Sequence, residues 1–185
     1  MATDISVQDF VLLAYKAFDC EMRGKTLLQK RVYFLSLMVG EDLGYGAHFY
    51  GPYSEEVATG NSELKSIGAV EEHVNSYGFD DRGFERALHE FKLTTFGQRV
   101  ADQIVAIYPS LWQQIEAAAK KLRVSGDLDY MSLSIAAKAY YILAKEGGSA
   151  PLERIKALLP RFNWSVTDDQ LKRAENFLRK ASLVR

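Results

Sequence analysis

The chain has 185 residues, 48% of them hydrophobic and 25% charged, with a net charge of −1. This is ordinary globular usage, long enough for one compact domain or two small ones with a real core. No stretch approaches the roughly 20 apolar residues of a membrane helix, the opening MATDISVQDF lacks the basic and apolar regions of a signal peptide, and Cys20 is the only cysteine, which excludes a disulfide framework and a multi-Cys zinc site. These features point to a soluble, cytoplasmic protein in which Cys20 is a small buried hydrophobe.

Val7, Phe10, Val11, Ala14, Ala17 and Phe18 recur at helical spacing behind a Ser6–Asp9 cap, which predicts a first helix over about 7–20. Gly24 interrupts, and Leu28, Val32, Leu35 and Val39 mark a second helix over about 25–39, ended by Gly40, Gly44 and Gly46. His48-Phe49-Tyr50 predicts a short extended piece before the sharp Gly51-Pro52 turn. Ser54 caps a third helix that carries Val57, Leu64 and Ile67 and stops at Gly68. Val70 and Val74, then Phe91 and Leu93, alternate with polar residues and predict a hairpin at about 70–76 and 90–95, around a long loop holding Gly78, Asp80, Asp81 and Gly83. Thr95 and Gln98 read as a capping box for a fourth helix (Val100, Ile104, Ile107), and Pro109 breaks it and starts a fifth (Leu111, Trp112, Ile115, Leu122).

After Gly126 an alanine- and tyrosine-rich helix is predicted over about 132–146, ended by Gly147-Gly148. Pro151 begins the next helix and Pro160 ends it, and a Thr167–Gln170 capping box heads the last, over about 168–181. The order helix, helix, short strand, helix, hairpin, helix is the winged-helix layout. The predicted fold is therefore mostly α with a small antiparallel β hairpin: a winged-helix-like N-terminal domain over 1–125 and a C-terminal helical extension over 126–185. Residues 63–70 and 177–184 echo each other, a helix ending in small residues before an apolar extended step. Either the tail is a second tri-helical unit related to the first, or the echo is chance.

Three segments together carry a resemblance. Leu28-Gln29-Lys30-Arg31-Val32-Tyr33-Phe34-Leu35, Tyr50-Gly51-Pro52-Tyr53-Ser54-Glu55-Glu56-Val57, and Phe91-Lys92-Leu93-Thr94 with Gly97 stand in that order. In that arrangement they are similar to the YwgA-like and Panacea (SocA-like antitoxin) group of bacterial and archaeal proteins, over about residues 25–105. The resemblance implies a winged-helix-like fold and, for the Panacea relatives, toxin neutralisation or adaptor work by direct protein contact. The chain departs from that pattern in its long hairpin loop (78–88) and in its helical tail.

Chemistry finds little footing. His48, His73 and His89 show no zinc-protease spacing, no glycine run matches a phosphate loop or dinucleotide fingerprint, and no G-x-S-x-G elbow occurs. Glu55-Glu56, Glu71-Glu72 and Asp80-Asp81 are adjacent in sequence and so point apart, as solvated residues do. His48, beside the turn, is the best functional histidine, with a hydrogen-bonded structural role favoured. The expectation is a non-enzyme without cofactor or metal.

Charge is uneven: −7 over residues 1–90, +2 over 91–150 and +4 over 151–185. The third helix carries Glu55, Glu56 and Glu63 against Lys65 alone, a poor recognition helix for anionic DNA. Basic residues collect instead on the last helix: Lys172, Arg173, Arg179 and Lys180, with Arg154, Lys156 and Arg161 nearby. They are either nucleic-acid contacts or partners for the acidic N-terminal half. The apolar stripe Leu171, Ala174, Phe177 and Leu178 requires cover, from the N-terminal domain or from its counterpart in a homodimer. The favoured reading is a protein-binding module, antitoxin-like or adaptor, whose partner is another protein such as a toxin. It would use Tyr50, Tyr53, Glu55 and Glu56 with Lys30 and Arg31 beside them. The alternative is a winged-helix DNA-binding transcription regulator that uses the basic C-terminal helix.

Overall fold

The structure is a computed structural model and describes residues 5–79, 85–126, 129–148 and 150–184. Helix α1 (Val7–Ala17) starts where Ser6 Oγ accepts from the Asp9 N–H at 3.1 Å. It ends earlier than its apolar pattern suggests, because Asp19 and Cys20 both take left-handed φ (58° and 63°) and reverse the chain into strand β1 (Glu21–Arg23). Helix α2 (Lys25–Val39) follows and is closed by left-handed Gly40. The expected extended piece at 48–50 is a turn instead: the Gly51 N–H closes back on the His48 carbonyl at 2.9 Å, and only an isolated bridge joins Gly46 to Tyr53. The first short strand therefore lies between the first two helices, not after them.

Helix α3 (Glu55–Ser66) is capped by Ser54, whose Oγ accepts from the Val57 N–H. Strands β2 (Val70–Phe79) and β3 (Glu85–Leu93) pair antiparallel from Val70↔Leu93 to Phe79↔Glu85, with a register shift between Ser76 and Phe79. Both run further than the sequence pattern predicts, into the expected loop. Asp80, Asp81, Arg82 and Gly83 lie outside the described residues. β1 joins the other side of β3, so the sheet order is β1-β3-β2 with β3 in the middle. Helix α4 (Thr95–Ile107) is capped one residue earlier than predicted, by Thr94, whose hydroxyl accepts from the Gly97 N–H at 3.0 Å. Pro109 opens α5 (Pro109–Val124).

The tail holds α6 (Tyr130–Lys145), α7 (Leu152–Leu158) and α8 (Asp168–Lys180). α7 tightens into a 3-10 turn over Leu159–Phe162 before continuing, and both halves of the Thr167–Gln170 capping box are present. The fold is mostly helical with one small three-stranded antiparallel sheet.

α1 is the centre of the core. Phe10 to Tyr15 are all at most 1% exposed, and α2, α3, α4 and α5 surround them. α6 rests on α2 and α8 rests on α6, with the Phe177 ring edge-on to Phe34 of α2 at 5.6 Å. The apolar stripe of α8 is thereby covered within the chain. Among the described residues, the tail forms ion pairs between near neighbours in sequence: Arg154 with Glu146, Lys156 with Asp168 and Arg179 with Glu175. Surface pairs of this kind contribute about 0–1 kcal/mol each, so docking rests on apolar burial. No helix among the described residues is long and apolar enough to cross a membrane.

Candidate interaction site

The segment between α2 and α3 has no helix or strand of its own, yet side chains hold its backbone from beneath. Gln29 donates to the Ser54 carbonyl at 2.9 Å and accepts from the Ser54 N–H at 3.0 Å. Lys30 Nζ donates to the Pro52 carbonyl at 2.6 Å. Tyr45 OH donates to the Gln29 carbonyl, and Ser54 Oγ to the Leu43 carbonyl. Gly46 and Tyr53 exchange two backbone bonds, each 2.9 Å. From the tail, Trp164 Nε1 donates to the His48 carbonyl at 2.7 Å, a contact spanning 116 residues.

Gly51 sits in the floor of this turn. Its φ is +99°, and a Cβ there would lie 3.2 Å from Lys138 Cγ and 3.3 Å from the Ser134 carbonyl. The positive φ favours glycine, and the two neighbours leave a Cβ little room. What the scaffold leaves outside is aromatic: Phe49 is 65% and Tyr50 59% exposed, their rings edge-to-face at 5.0 Å. His48 tilts against Tyr53 at 4.9 Å. Glu55 and Glu56 stand exposed on the first turn of α3, with the Glu56 carboxylate against Gly44.

Tyr50, Glu55 and Glu56 are thus exposed and Tyr53 is half-buried along the turn and the first turn of α3. Lys30 lies under the turn at the Pro52 carbonyl, 1% exposed, and so does not present its amine to a partner as the sequence predicts. Arg31 turns away: its guanidinium covers the Phe18 ring at 4.2 Å and meets Met22 Sδ at 3.6 Å. His48 engages Trp164 through its carbonyl, not its imidazole. On α8, Lys172, Arg173 and Lys180 are exposed, as is Arg179 beside Glu175. Cys20 is half-buried, and burial pushes its thiol pKa up. Sequence reasoning overlooked the exposure of Phe49 and the support from Lys138, Ser134 and Trp164. Exposure of a single ring and contacts across a hundred residues leave no local pattern.

Elsewhere, Glu72 of β2 bonds Lys65 and His89, the latter at 2.6 Å. Burial alone would raise its pKa, but the bonds from Lys65 and His89 outweigh burial and hold it below the usual carboxylate value.

The buried amine of Lys30 has a consequence for stability. Burial, assisted by the nearby Lys138, pulls its pKa down to about 7, whereas an unfolded lysine titrates near 10.4. Below pH 7 both states hold the proton and the contribution is flat. Between the two values the unfolded state binds more protons, so stability rises with pH, by at most about 1.4 kcal/mol per unit. Urea melts should find the protein about 1–2 kcal/mol more stable at pH 8.5 than at pH 7. Lys30→Met keeps the stem and removes the amine, and should erase most of that rise. An equal rise in both proteins would assign it to other groups.

Comparison of the chain with protein-family models and with curated proteins finds no match.

Proposed function

We propose that the chain is a protein-binding module, antitoxin-like or adaptor-like, built on a winged-helix-like body and engaging its partner through the 48–53 turn and the start of α3. The single observation that carries this reading is the exposed Phe49–Tyr50 pair on a backbone already fixed by Gln29, Lys30, Gly51 and Trp164. Aromatic anchors dominate the energetics of protein interfaces, and a surface ordered before binding loses little entropy on association. The order α1-β1-α2-α3-β2-β3 with a central β3 supports the winged-helix-like part of the reading. The exposed Glu55, Glu56 and Glu63 of α3 disfavour phosphate contact in the position a recognition helix would take.

The test is affinity purification of the tagged full chain from its native cells, with mass spectrometry of bound protein and sequencing of bound nucleic acid. A specific protein should co-purify with the wild type and be lost from the Phe49→Ala/Tyr50→Ala double variant. In a titration with that protein the double variant should bind about thirtyfold more weakly, as loss of about 2 kcal/mol implies. An unchanged set of bound proteins would sink the reading. Bound nucleic acid, released by Lys172→Glu/Arg173→Glu, would establish the alternative of DNA binding through α8.

A further inference from the structure

The chain carries no lysine or arginine between Arg31 and Lys65, while Glu41, Asp42, Glu55, Glu56 and Glu63 fall in that stretch. The aromatic turn lies among them, and contacts tie three of these carboxylates to it. The Asp42 carboxylate accepts from the Gly44 N–H at 3.0 Å, and a Cβ on Gly44 would lie 3.1 Å from Glu56 Oε1. Two carboxylates therefore meet at Gly44. Two residues on, Gly46 bridges to Tyr53, and the Tyr53 ring lies 4.9 Å from that of His48. Glu55 is felt at the same ring: burial first, and then the Glu55 charge, push the Tyr53 phenol pKa up. His48 leads directly into the exposed Phe49 and Tyr50. Asp42, Glu55 and Glu56, all exposed, are thus linked to the ring pair by one unbroken run of contacts.

The basic residues that approach the turn or adjoin it in sequence are engaged elsewhere. Lys30 is sealed beneath the Pro52 carbonyl, and Arg31 lies over the Phe18 ring. The Lys138 stem passes Gly51, but its amine sits over the Trp164 ring at 5.6 Å, and Lys145 sits over Tyr141 at 4.9 Å. Among the described residues, Asp42, Glu55 and Glu56 enter no ion pair. Unpaired carboxylates beside an aromatic anchor set up a negative field that favours a cationic partner and repels an anionic one. Arginine is the cation that suits both features. Its flat guanidinium stacks on an aromatic face and pairs side by side with a carboxylate, whereas an ammonium acts only as a point charge. The chain makes that contact internally: the Arg123 guanidinium lies over the Phe18 ring at 5.4 Å and bonds the Asp19 carboxylate at 2.9 Å.

We infer that the surface around Phe49 and Tyr50 takes an arginine-bearing basic segment of a partner protein, whose guanidiniums stack on the two rings and pair with Glu55, Glu56 and Asp42. The inference rests on the turn being a protein-binding face, and it adds the chemistry of what binds there. The rings supply contact area, and the carboxylates select the sign of the partner's charge.

The probe is a short fluorescein-labelled peptide of alternating arginine and glycine, with lysine–glycine and glutamate–glycine peptides beside it. Anisotropy titration of the full chain at low salt should saturate with the arginine peptide at a dissociation constant below about 300 μM. The lysine peptide should bind about threefold more weakly or worse, and the glutamate peptide should not bind. Raising the salt to about 500 mM should weaken the arginine peptide about tenfold. Glu55→Gln/Glu56→Gln and Phe49→Ala/Tyr50→Ala should each weaken it about fivefold or more. All four side chains are exposed, so both variants should fold. No saturation up to about 1 mM would overturn the proposal, as would equal binding of the arginine and lysine peptides, or arginine binding that neither double variant weakens. A labelled oligothymidylate that binds the wild type but not Phe49→Ala/Tyr50→Ala would overturn it by assigning the rings to nucleic acid. A dimer in sedimentation that Glu55→Gln/Glu56→Gln dissociates would do so by assigning the face to a second copy. The wider reading fails separately: a native protein lost with Phe49 and Tyr50 but indifferent to salt and to Glu55→Gln/Glu56→Gln would overturn this inference and leave that reading standing.

Discussion

Phe177→Ala should destabilise the protein by about 3–5 kcal/mol, whereas Lys180→Ala and Arg173→Ala should each stay within about 0.5 kcal/mol. Phe177 is 2% exposed, and its ring meets Phe34, itself fully buried in α2, edge-on at 5.6 Å. The ring therefore links α8 to the N-terminal body, and truncation leaves a cavity across two helix layers. Lys180 and Arg173 stand in solvent. For a chain of this size each kcal/mol moves Tm by about 2–4 °C, so the first variant should melt roughly 10 °C lower and the other two within a degree or two of the wild type. Matched thermal melts decide it. If Phe177→Ala is silent, or the charge variants lose as much, the tail is not held by apolar packing.

That expectation was already legible in the sequence, because the Leu171, Ala174, Phe177 and Leu178 stripe repeats at helical spacing and all four are buried. Periodicity and caps work where the cause is local: Ser6, Ser54 and Thr167 cap the helices they were assigned to. β1 escaped notice because three residues have no period, and their extended form comes from pairing with β3 some seventy residues later, Met22 opposite Phe91. The aromatic run at 48–50 looked like a strand for its side chains, but the backbone bond from Gly51 to His48 makes it a turn. The candidate site was legible in its visible half, Tyr50, Tyr53, Glu55 and Glu56. For Lys30 the sequence predicts a surface side chain, because lysines are seldom fully buried. Its burial follows from a carbonyl that only the folded turn presents, and Trp164 reaches the same turn from the far end of the chain.

Of the three segments that carry the resemblance, the first two meet in space and the third braces the junction of α3 and β2. Gln29 and Lys30 hold Pro52 and Ser54, and Thr94 bonds the Gly68 and Ala69 carbonyls. Their spacing is thus a record of internal support for the body as well as of any binding face. Phe49, more exposed than Tyr50, lies just outside the second segment.

Gly97 shows how tight that support is, and it gives the sharpest contrast between two like substitutions. A Cβ on Gly97 would sit 2.0 Å from the Ala69 carbonyl oxygen and 2.9 Å from its carbon. Those atoms are backbone, and the same carbonyl accepts the Thr94 N–H that joins β2 to β3 at the head of α4. Nothing there can swing aside, so relief requires α4 and the sheet to separate. Gly97→Ala should cost about 3 kcal/mol or more, the upper range for overpacking. Gly60 is also buried and helical, but its Cβ would meet Val7 Cγ1 at 3.5 Å, an ordinary contact. Gly60→Ala should therefore gain up to about 1 kcal/mol from helix propensity. Denaturant melts of the two variants should move in opposite directions from the wild type. A Gly97→Ala protein as stable as the wild type would show that α4 does not bear directly on the start of β2, and the account of that third segment as a packing device would fall with it.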